Sequence, residues 1–261
     1  MDTFFSGIVA NPWFYVAAVP AILLIGISKG GLGSGAGTVA VPVLTLVIGP
    51  VQAAAILLPI LCLMDAIGIH RYWRVWSVPN LRILLPAGIL GVGVGWATAE
   101  YMSEDFIRLV IGAIAVLFTL HRFIGARMGR NRAPEPPNTL KGLFWGTLTG
   151  FTSFIAHAGG PPKNIYLLPQ RLDRSVFVGT SVVMFIIINY VKLVPYWFLG
   201  QFDATNLATS LVLLPAAPAG MALGFWLHRI VSEDLFYRIT YALLFVAGVK
   251  LLWDGMRGVL G

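Results

Sequence analysis

Charged residues are scarce in this 261-residue chain, where they make up 11% of the sequence while hydrophobic residues make up 57%. An average soluble domain contains about 25% charged residues. A soluble protein of this length could not cover its surface with so few polar groups, which argues against a soluble enzyme. The same composition argues against a disordered chain, because disordered segments have low hydrophobicity and high net charge.

Cysteine occurs once, at Cys62, so an intramolecular disulfide and a cysteine-based zinc site are excluded. The sequence also lacks a Walker A motif, a His-Glu-x-x-His motif and a pair of carboxylates within an apolar run. Gly31-x-Gly33-x-x-Ala36 matches the dinucleotide fingerprint formally, but it follows an apolar run rather than a strand. We therefore expect no metal, no cofactor and no enzymatic activity. The net charge of +7 does not indicate nucleic-acid binding, because no basic face with interleaved aromatic residues is present.

Long apolar runs dominate the sequence instead. A bilayer core requires about 20 apolar residues in a helix. Runs of about this length cover residues 12–28, 51–70, 81–99, 105–123, 143–157, 175–198, 204–227 and 234–253. They predict an all-α, polytopic membrane protein with about eight transmembrane helices.

Two glycine-rich stretches, residues 29–37 and 158–164, interrupt this pattern. Each is followed by a short apolar piece, which ends near Ile48 in the first case and at Pro169 in the second. These pieces are too short to cross a bilayer and are typical of re-entrant segments. Irregular backbone at membrane depth is tolerated where it is buried in protein or lines a wet cavity.

An internal repeat divides the chain into two similar halves. A shift of 129 residues superimposes the segment from Leu84 to Ala113 on the second half, with ten identities in thirty ungapped positions. The repeat predicts two four-helix halves, residues 1–124 and 141–261, joined by a cytoplasmic linker at 125–140. The sequence leaves open whether the halves are parallel or inverted. Four repeated glycines have the spacing that permits close helix packing, which is their preferred interpretation: Gly91, Gly95, Gly220 and Gly224.

The distribution of lysine and arginine indicates orientation, because basic loops face the cytoplasm. The loops at residues 71–82 and 122–141 are basic, and the opposite loop at 100–105 is acidic. With eight crossings, both termini are expected in the cytoplasm of a bacterial cell, with the protein in the inner membrane. Four arginines in the second half fall on the outer side under this interpretation: Arg171, Arg174, Arg229 and Arg238.

Basic and amide side chains gather at the two glycine-rich breaks, which indicates an anionic substrate. Freed backbone N–H groups at the N-termini of half-helices attract anions, and ionisable residues at membrane depth usually face a cavity. The predicted backbone donors are Gly30, Gly31, Gly33, Ser34, Gly35, Gly37, Gly159 and Gly160. The predicted side-chain contacts are Lys29, His157, Lys163, Asn164, Thr180, Asn189 and Lys192. Asp65 and His157 are the candidates for proton coupling.

Each of these polar side chains also has a structural explanation. The lysines can extend along their apolar stems to the membrane interface. His157 can be a hydrogen-bonded structural histidine, and Asp65 can pair with His70 or Arg71.

Two motifs resemble those of a known family, the TauE/SafE exporters of sulfite and organosulfur anions. The stretch Gly26-Ile-Ser-Lys-Gly-Gly-Leu-Gly-Ser-Gly-Ala-Gly37, leading to Val41-Pro-Val-Leu44, is similar to the first family motif. The stretch Gly150-Phe-Thr-Ser-Phe-Ile-Ala-His-Ala-Gly-Gly-Pro-Pro162 is similar to the second, with Phe154 and His157 where glycine is frequent. The resemblance runs from about residue 22 to residue 256. It implies a secondary transporter that exports sulfite or an organosulfonate such as sulfoacetate.

Two alternatives remain at the level of sequence. One is an uptake transporter for sulfate or a small carboxylate, and the other is a non-transporting membrane assembly factor. The expected partners are a small anion and the lipid bilayer, without nucleic acid. The oligomeric state is open, and a homo-oligomer is compatible with the sequence.

Overall fold

The computed structural model describes residues 8–32, 36–128, 134–227 and 233–260, and the regular elements within these ranges are all helical. In chain order the helices are α1 Pro12–Ile27, α2 Ala40–Thr45, α3 Pro50–Arg71, α4 Val78–Ala99, α5 Glu104–Met128, α6 Thr139–Ala156, α7 Gly160–Leu167, α8 Arg174–Phe198, α9 Ala204–Leu213, α10 Ala216–Leu227 and α11 Glu233–Leu260. All eight predicted apolar runs lie on helices, the seventh being divided between α9 and α10.

Five helical segments are long and apolar enough to cross a membrane: Pro12–Gly30, Pro50–Arg71, Val78–Ala99, Ser175–Phe198 and Ala204–Trp226. This confirms an all-α, polytopic membrane protein. The count of eight crossings stays a prediction. The boundaries of the repeat halves also stay predictions.

Short polar side chains begin several of the helices. Each accepts a hydrogen bond from a backbone N–H in the first helical turn, which satisfies a donor that the helix itself leaves unpaired. These N-terminal residues are Asn11 for α1, Asn138 for α6, Asp173 for α8 and Asp203 for α9. Short polar residues therefore mark the boundaries between apolar runs, where a new helix begins.

The helix ends form two opposite faces, which we name by their charge. The acidic face includes the loop at 100–105 and the start of α9. The beginnings of α1, α3, α5 and α9 and the end of α11 meet at this face. The contacts that join them are Val9 with Thr209, Gln52 with Asn206, Gly49 with Glu104 and Gly258 with Asp105. At the basic face, the end of α3 and the end of α7 meet the beginnings of α4, α6 and α8. The contacts that join them are Val75 with Gly179, Ser77 with Thr180, Asn80 with Gln170 and Glu135 with Pro169.

Each glycine-rich break is the tip of a re-entrant hairpin. Helix α1 begins at the acidic face, and after a π-helical turn, Ser28–Leu32, the chain returns through α2 to the same face, where α3 begins. Helix α6 begins at the basic face, and α7 returns to the basic face after the second break. The predicted short re-entrant pieces are thus confirmed. Because the two hairpins enter from opposite faces, the two halves of the chain run in opposite orientations.

The hairpins pack across the halves. Helix α1 packs on α10, where a methyl group at Gly26 would lie 2.6 Å from the Gly220 carbonyl carbon. Helix α4 packs on α6 in the same way, and a Cβ at Gly91 would overlap the carbonyl oxygen of Thr147. Gly95 and Gly224 are equally crowded by the facing helix, which confirms the packing interpretation of all four repeated glycines. The first helix of each half is therefore held by the third long segment of the other half.

Candidate functional site

The tips of the two hairpins meet at a cavity of about 80 Å³ near the centre of the fold, large enough for several water molecules or one small anion. Helices α3 and α8 complete its wall. Its ionisable and polar lining includes Lys29, Asp65, His157, Lys163, Ser181 and Asn189. The structure therefore brings residues from both predicted motifs and from two further helices to one place.

Asp65 links three elements on one side of this cavity. Its Oδ1 accepts a hydrogen bond from Nζ of Lys29, which lies in the π-helical turn of the first hairpin. Its Oδ2 accepts from Nδ2 of Asn189 on α8 at 2.5 Å. The Asp65 residue is 2% exposed. The expected pairing of Asp65 with His70 or Arg71 is therefore not the one that the structure contains.

His157 ends α6 with a left-handed backbone conformation, at φ 50°. This region costs a residue with a side chain about 1–2 kcal/mol, which explains why glycine suits the position. The imidazole makes two contacts: Nε2 lies 2.8 Å from the carbonyl oxygen of Ala54, and Nδ1 lies 2.7 Å from Nζ of Lys192. A carbonyl oxygen accepts hydrogen bonds only, so Nε2 carries the proton and Nδ1 accepts from Lys192. In this pair the Lys192 amino group is the donor and a neutral imidazole is the acceptor.

Lys163 and Lys192 are buried, with 1% and 0% of their surface exposed. Lys192 also donates to the carbonyl oxygen and Oγ of Ser153, at 2.9 and 3.2 Å. These two lysines therefore do not extend to the membrane interface, which corrects that structural explanation for them. The Lys29 side chain is 20% exposed and contacts Asp65, so it too is directed to the site.

Lys163 has a sparse set of partners for a buried ammonium group. Its Nζ donates to Oγ of Ser181 at 2.6 Å and lies over the rings of Phe177 and Phe185, 4.7 and 5.5 Å from their centroids. An ammonium group has three N–H donors. One donor is used on an oxygen in the described residues, so this group has hydrogen-bonding capacity left for a ligand in the cavity.

The charges around the cavity favour an anion. Three basic side chains line the site, Lys29, Lys163 and His157, with Lys192 bonded to His157 behind the wall. Among the described residues that line it, Asp65 carries the single carboxylate. Buried charges are costly unless they are paired. A bound anion would supply the compensating negative charge that the protein itself provides only in part.

Other predicted residues lie outside the cavity wall or at its edge. Gly160 lines the cavity, and Gly159 packs against Thr149 and Phe185 beside it. Gly30 packs on the backbone of Met221. Gly31 lies in the π-helical turn and Gly37 in the following 3₁₀ helix, whereas Gly33, Ser34 and Gly35 lie outside the described residues.

The structure does not bring Thr180, Asn164 or Lys192 to the cavity wall, and Lys192 is linked to it through His157. Thr180 accepts a hydrogen bond from the Ser77 N–H at the basic face, at 2.9 Å, and donates to the Val176 carbonyl oxygen. Asn164 is buried on the returning helix α7, where its Oδ1 has no hydrogen-bond partner among the described residues. The hydroxyl group that faces the cavity from this part of α8 belongs to Ser181 instead.

Sequence reasoning missed Ser181, Phe185 and Ser153. Helical spacing contains a signal for the first two, because positions four and eight residues before Asn189 lie on the same side of α8. Those positions are Phe185 and Ser181. Ser153 lies inside the second glycine-containing motif, but its role as a partner of Lys192 depends on a contact between α6 and α8 that spacing does not predict.

Comparison with known proteins identifies one family. The family model described as "Sulfite exporter TauE/SafE" matches residues 18–251, which is nearly the whole chain. No curated protein and no solved structure gives a significant match.

Proposed function

Because this chain belongs to the TauE/SafE family of sulfite exporters, a family of membrane transporters, we propose that it exports a small sulfur oxyanion across the bacterial inner membrane. The proposed substrate is sulfite or an organosulfonate such as sulfoacetate. The observation that carries this proposal is the cavity between the two hairpin tips, where the basic side chains of Lys29, Lys163 and His157 accompany one carboxylate. A cation would meet repulsion there, and an oxyanion would complete the charge balance.

The proposed anion site uses side chains more than backbone groups. Lys29, Lys163 and the Lys192–His157 pair supply the positive charge, and the Asn189 amide and Ser181 hydroxyl lie beside them. Helix α7 directs its positive N-terminal end at the cavity from Gly160, which favours an anion. Proline follows at the next two positions and has no N–H, so Gly160 offers the backbone donor at this tip.

The fold supports an orientation in which the basic face is cytoplasmic. With two re-entrant hairpins, the basic loop at 71–82 and the start of α6 at Lys141 share a face with Arg171 and with the start of α8. This removes the discrepancy that eight simple crossings leave at Arg171 and Arg174. The same arrangement puts the beginning of α1 and the end of α11 on the non-cytoplasmic face. We propose this in place of two cytoplasmic ends.

Transport in this proposal proceeds by alternating access, with the two inverted halves moving relative to each other around the fixed site. The hairpin tips are suited to this because each belongs to one half and contacts the cavity shared by both. Proton coupling through Asp65 or His157 stays a prediction, which transport assays with and without a pH gradient address.

The test is a flux assay with purified protein in liposomes. Sulfite, sulfate, sulfoacetate and acetate are loaded separately, with and without a pH gradient, and efflux is followed for the wild type and Lys163→Met. We expect transport of sulfite or sulfoacetate by the wild type and a loss of at least about tenfold in Lys163→Met, as for a charge-assisted hydrogen bond. Transport of sulfate or acetate alone would favour the uptake alternative, and no flux of any of these anions would contradict the proposed function.

A further inference from the structure

Asp65 presents a negative charge to a cavity that otherwise attracts anions. We propose that Asp65 is an internal counter-ion, which shares Lys29 alternately with the transported anion and thereby sets the selectivity of the site. This inference rests on the proposed function and assigns a specificity-determining role to a residue that would otherwise oppose anion binding.

The geometry separates the two oxygens of the Asp65 carboxylate. Oδ1 is bonded to Lys29 and Oδ2 to Asn189, at 2.5 Å. Loss of the Lys29 contact therefore leaves the carboxylate anchored on α8. Asn189 has the role of a positioning residue, because it holds Asp65 at the cavity wall whichever anion occupies Lys29.

Lys29 is the lysine of the site best suited to exchange partners. Its side chain is 20% exposed, whereas Lys163 and Lys192 are fully buried. It lies in a π-helical turn, an element frequent at functional sites, and its four-carbon stem is flexible. The ammonium group can therefore turn from Asp65 to a ligand without a change in the surrounding helices.

The Phe185 ring lies close to the ammonium groups of both Lys29 and Lys163. The ring centroid lies 5.9 Å from Nζ of Lys29 and 5.5 Å from Nζ of Lys163. Both ammonium groups therefore lie within 6 Å of the same ring, at the wall of one cavity. An oxyanion offers several acceptor oxygens to such a pair of donors, whereas a chloride ion offers a single atom.

A carboxylate at this position discriminates among anions through competition. An anion that binds must compensate Lys29 at least as well as Asp65 does, and it must do so in the presence of the Asp65 charge. A dianion with several oxygens meets this requirement, and a weakly interacting monoanion does not. Repulsive elements of this kind are a common source of specificity.

The test compares binding and transport of sulfite, acetate and chloride in the wild type, Asp65→Asn and Asn189→Leu. Asp254→Asn is the matched control, because Asp254 pairs with Lys250 on the surface of α11, away from the cavity. In Asp65→Asn we expect sulfite to bind about tenfold more tightly, acetate and chloride to become competitors, and maximal transport to fall about tenfold. Asn189→Leu should weaken sulfite binding, and this effect should disappear in the double variant with Asp65→Asn.

The binding results distinguish a failure of the proposed function from a failure of the counter-ion role of Asp65. If the wild type binds none of the anions, the proposed function fails. If the wild type binds sulfite and folded Asp65→Asn binds it more weakly with unchanged selectivity, the counter-ion role is overturned and Asp65 is structural. If Asp65→Asn does not fold, infrared difference spectra of the wild type test the exchange of partners at Lys29. A carboxylate band that changes on addition of sulfite supports the exchange. A constant carboxylate region overturns it.

Discussion

Nζ of Lys192 lies 2.7 Å from Nδ1 of His157, and the imidazole is held from its other side by the carbonyl oxygen of Ala54. This relationship connects the tip of the second hairpin to α8 and α3 through one ring. It also fixes which imidazole nitrogen carries the proton. The histidine is thus at the same time a bend in the backbone and the hydrogen-bond acceptor of a buried ammonium group.

His157→Gly and His157→Ala separate these two roles. Both remove the imidazole, so both are expected to reduce sulfite transport at least about tenfold, because Lys192 loses an acceptor. Glycine adopts the left-handed conformation freely, so His157→Gly should be more stable than His157→Ala by about 1 kcal/mol. Thermal unfolding in detergent, followed by tryptophan fluorescence, measures the difference. Equal stability of the two variants would contradict the backbone assignment.

Lys163→Met tests whether a buried positive charge serves function at the expense of stability. Methionine retains an apolar stem against Phe177 and Phe185, so unfolding should not become easier and can become harder. Anion affinity, measured by calorimetry with sulfite, should decrease at least about tenfold. Lys141→Met is the control, since Lys141 is exposed and pairs with Glu135 on the surface. A loss of sulfite binding in both variants would indicate a general effect of net charge.

Gly150→Ala and Gly93→Ala test the close packing of α4 on α6. A Cβ at Gly150 would overlap the carbonyl oxygen of Gly88, whereas a Cβ at Gly93 would have no atom of another helix within 4 Å in the described part of the chain. We expect Gly150→Ala to lower the free energy of unfolding by about 1–3 kcal/mol. Gly93→Ala should leave it unchanged or raise it, because alanine favours the helix. If both variants unfold at the wild-type temperature, the two helices are less tightly packed than the structure indicates.

Asn80 and Gln170 form a reciprocal amide pair at the basic face. Nδ2 of Asn80 donates to Oε1 of Gln170 at 2.9 Å, and Nε2 of Gln170 donates to Oδ1 of Asn80 at 3.1 Å. Asn80→Ala leaves the buried partner short of hydrogen bonds and should cost about 1–3 kcal/mol of unfolding free energy. The double variant Asn80→Leu, Gln170→Leu should cost less than the sum of its single variants. Strict additivity in this double-mutant cycle would argue against the pair.

Single-cysteine labelling tests the proposed orientation. In a Cys62→Ala background, Ala10→Cys, Tyr101→Cys and Leu260→Cys should react with a membrane-impermeant maleimide added to intact cells. Trp73→Cys, at the basic face, should react only after the cells are opened. Labelling of Tyr101→Cys together with protection of Ala10→Cys would contradict the first re-entrant hairpin.

Apolar run length and glycine-rich breaks were sufficient to predict the helices and the two re-entrant pieces. They could not distinguish parallel from inverted halves, because direction depends on whether α2 and α7 continue across the membrane or turn back. That choice is made by contacts such as Gly49 with Glu104 and Glu135 with Pro169, which join residues distant in sequence.

Charge scarcity also predicts several of the side chains that line the candidate site. Lys29, His157, Lys163 and Asn189 were identified because polar groups at membrane depth are costly and therefore informative. Thr180 lies at the basic face, whereas its neighbour Ser181, on the same side of α8 as Asn189, lines the cavity. The partner of Asp65 was missed because Lys29 approaches it only after the first hairpin has folded back.

The packing of each hairpin on the other half of the chain affects the synthesis and membrane insertion of the protein. The backbone N–H of Val9 bonds to Thr209, 200 residues later in the chain, and α1 packs on α10. Helix α1 can therefore pack on α2 early, but it lacks its partner α10 until most of the chain has been synthesised. Contacts of such long sequence separation form slowly and leave apolar surfaces exposed in the meantime. We expect a chain truncated before α10 to leave the face of α1 that packs on α10 exposed to lipid.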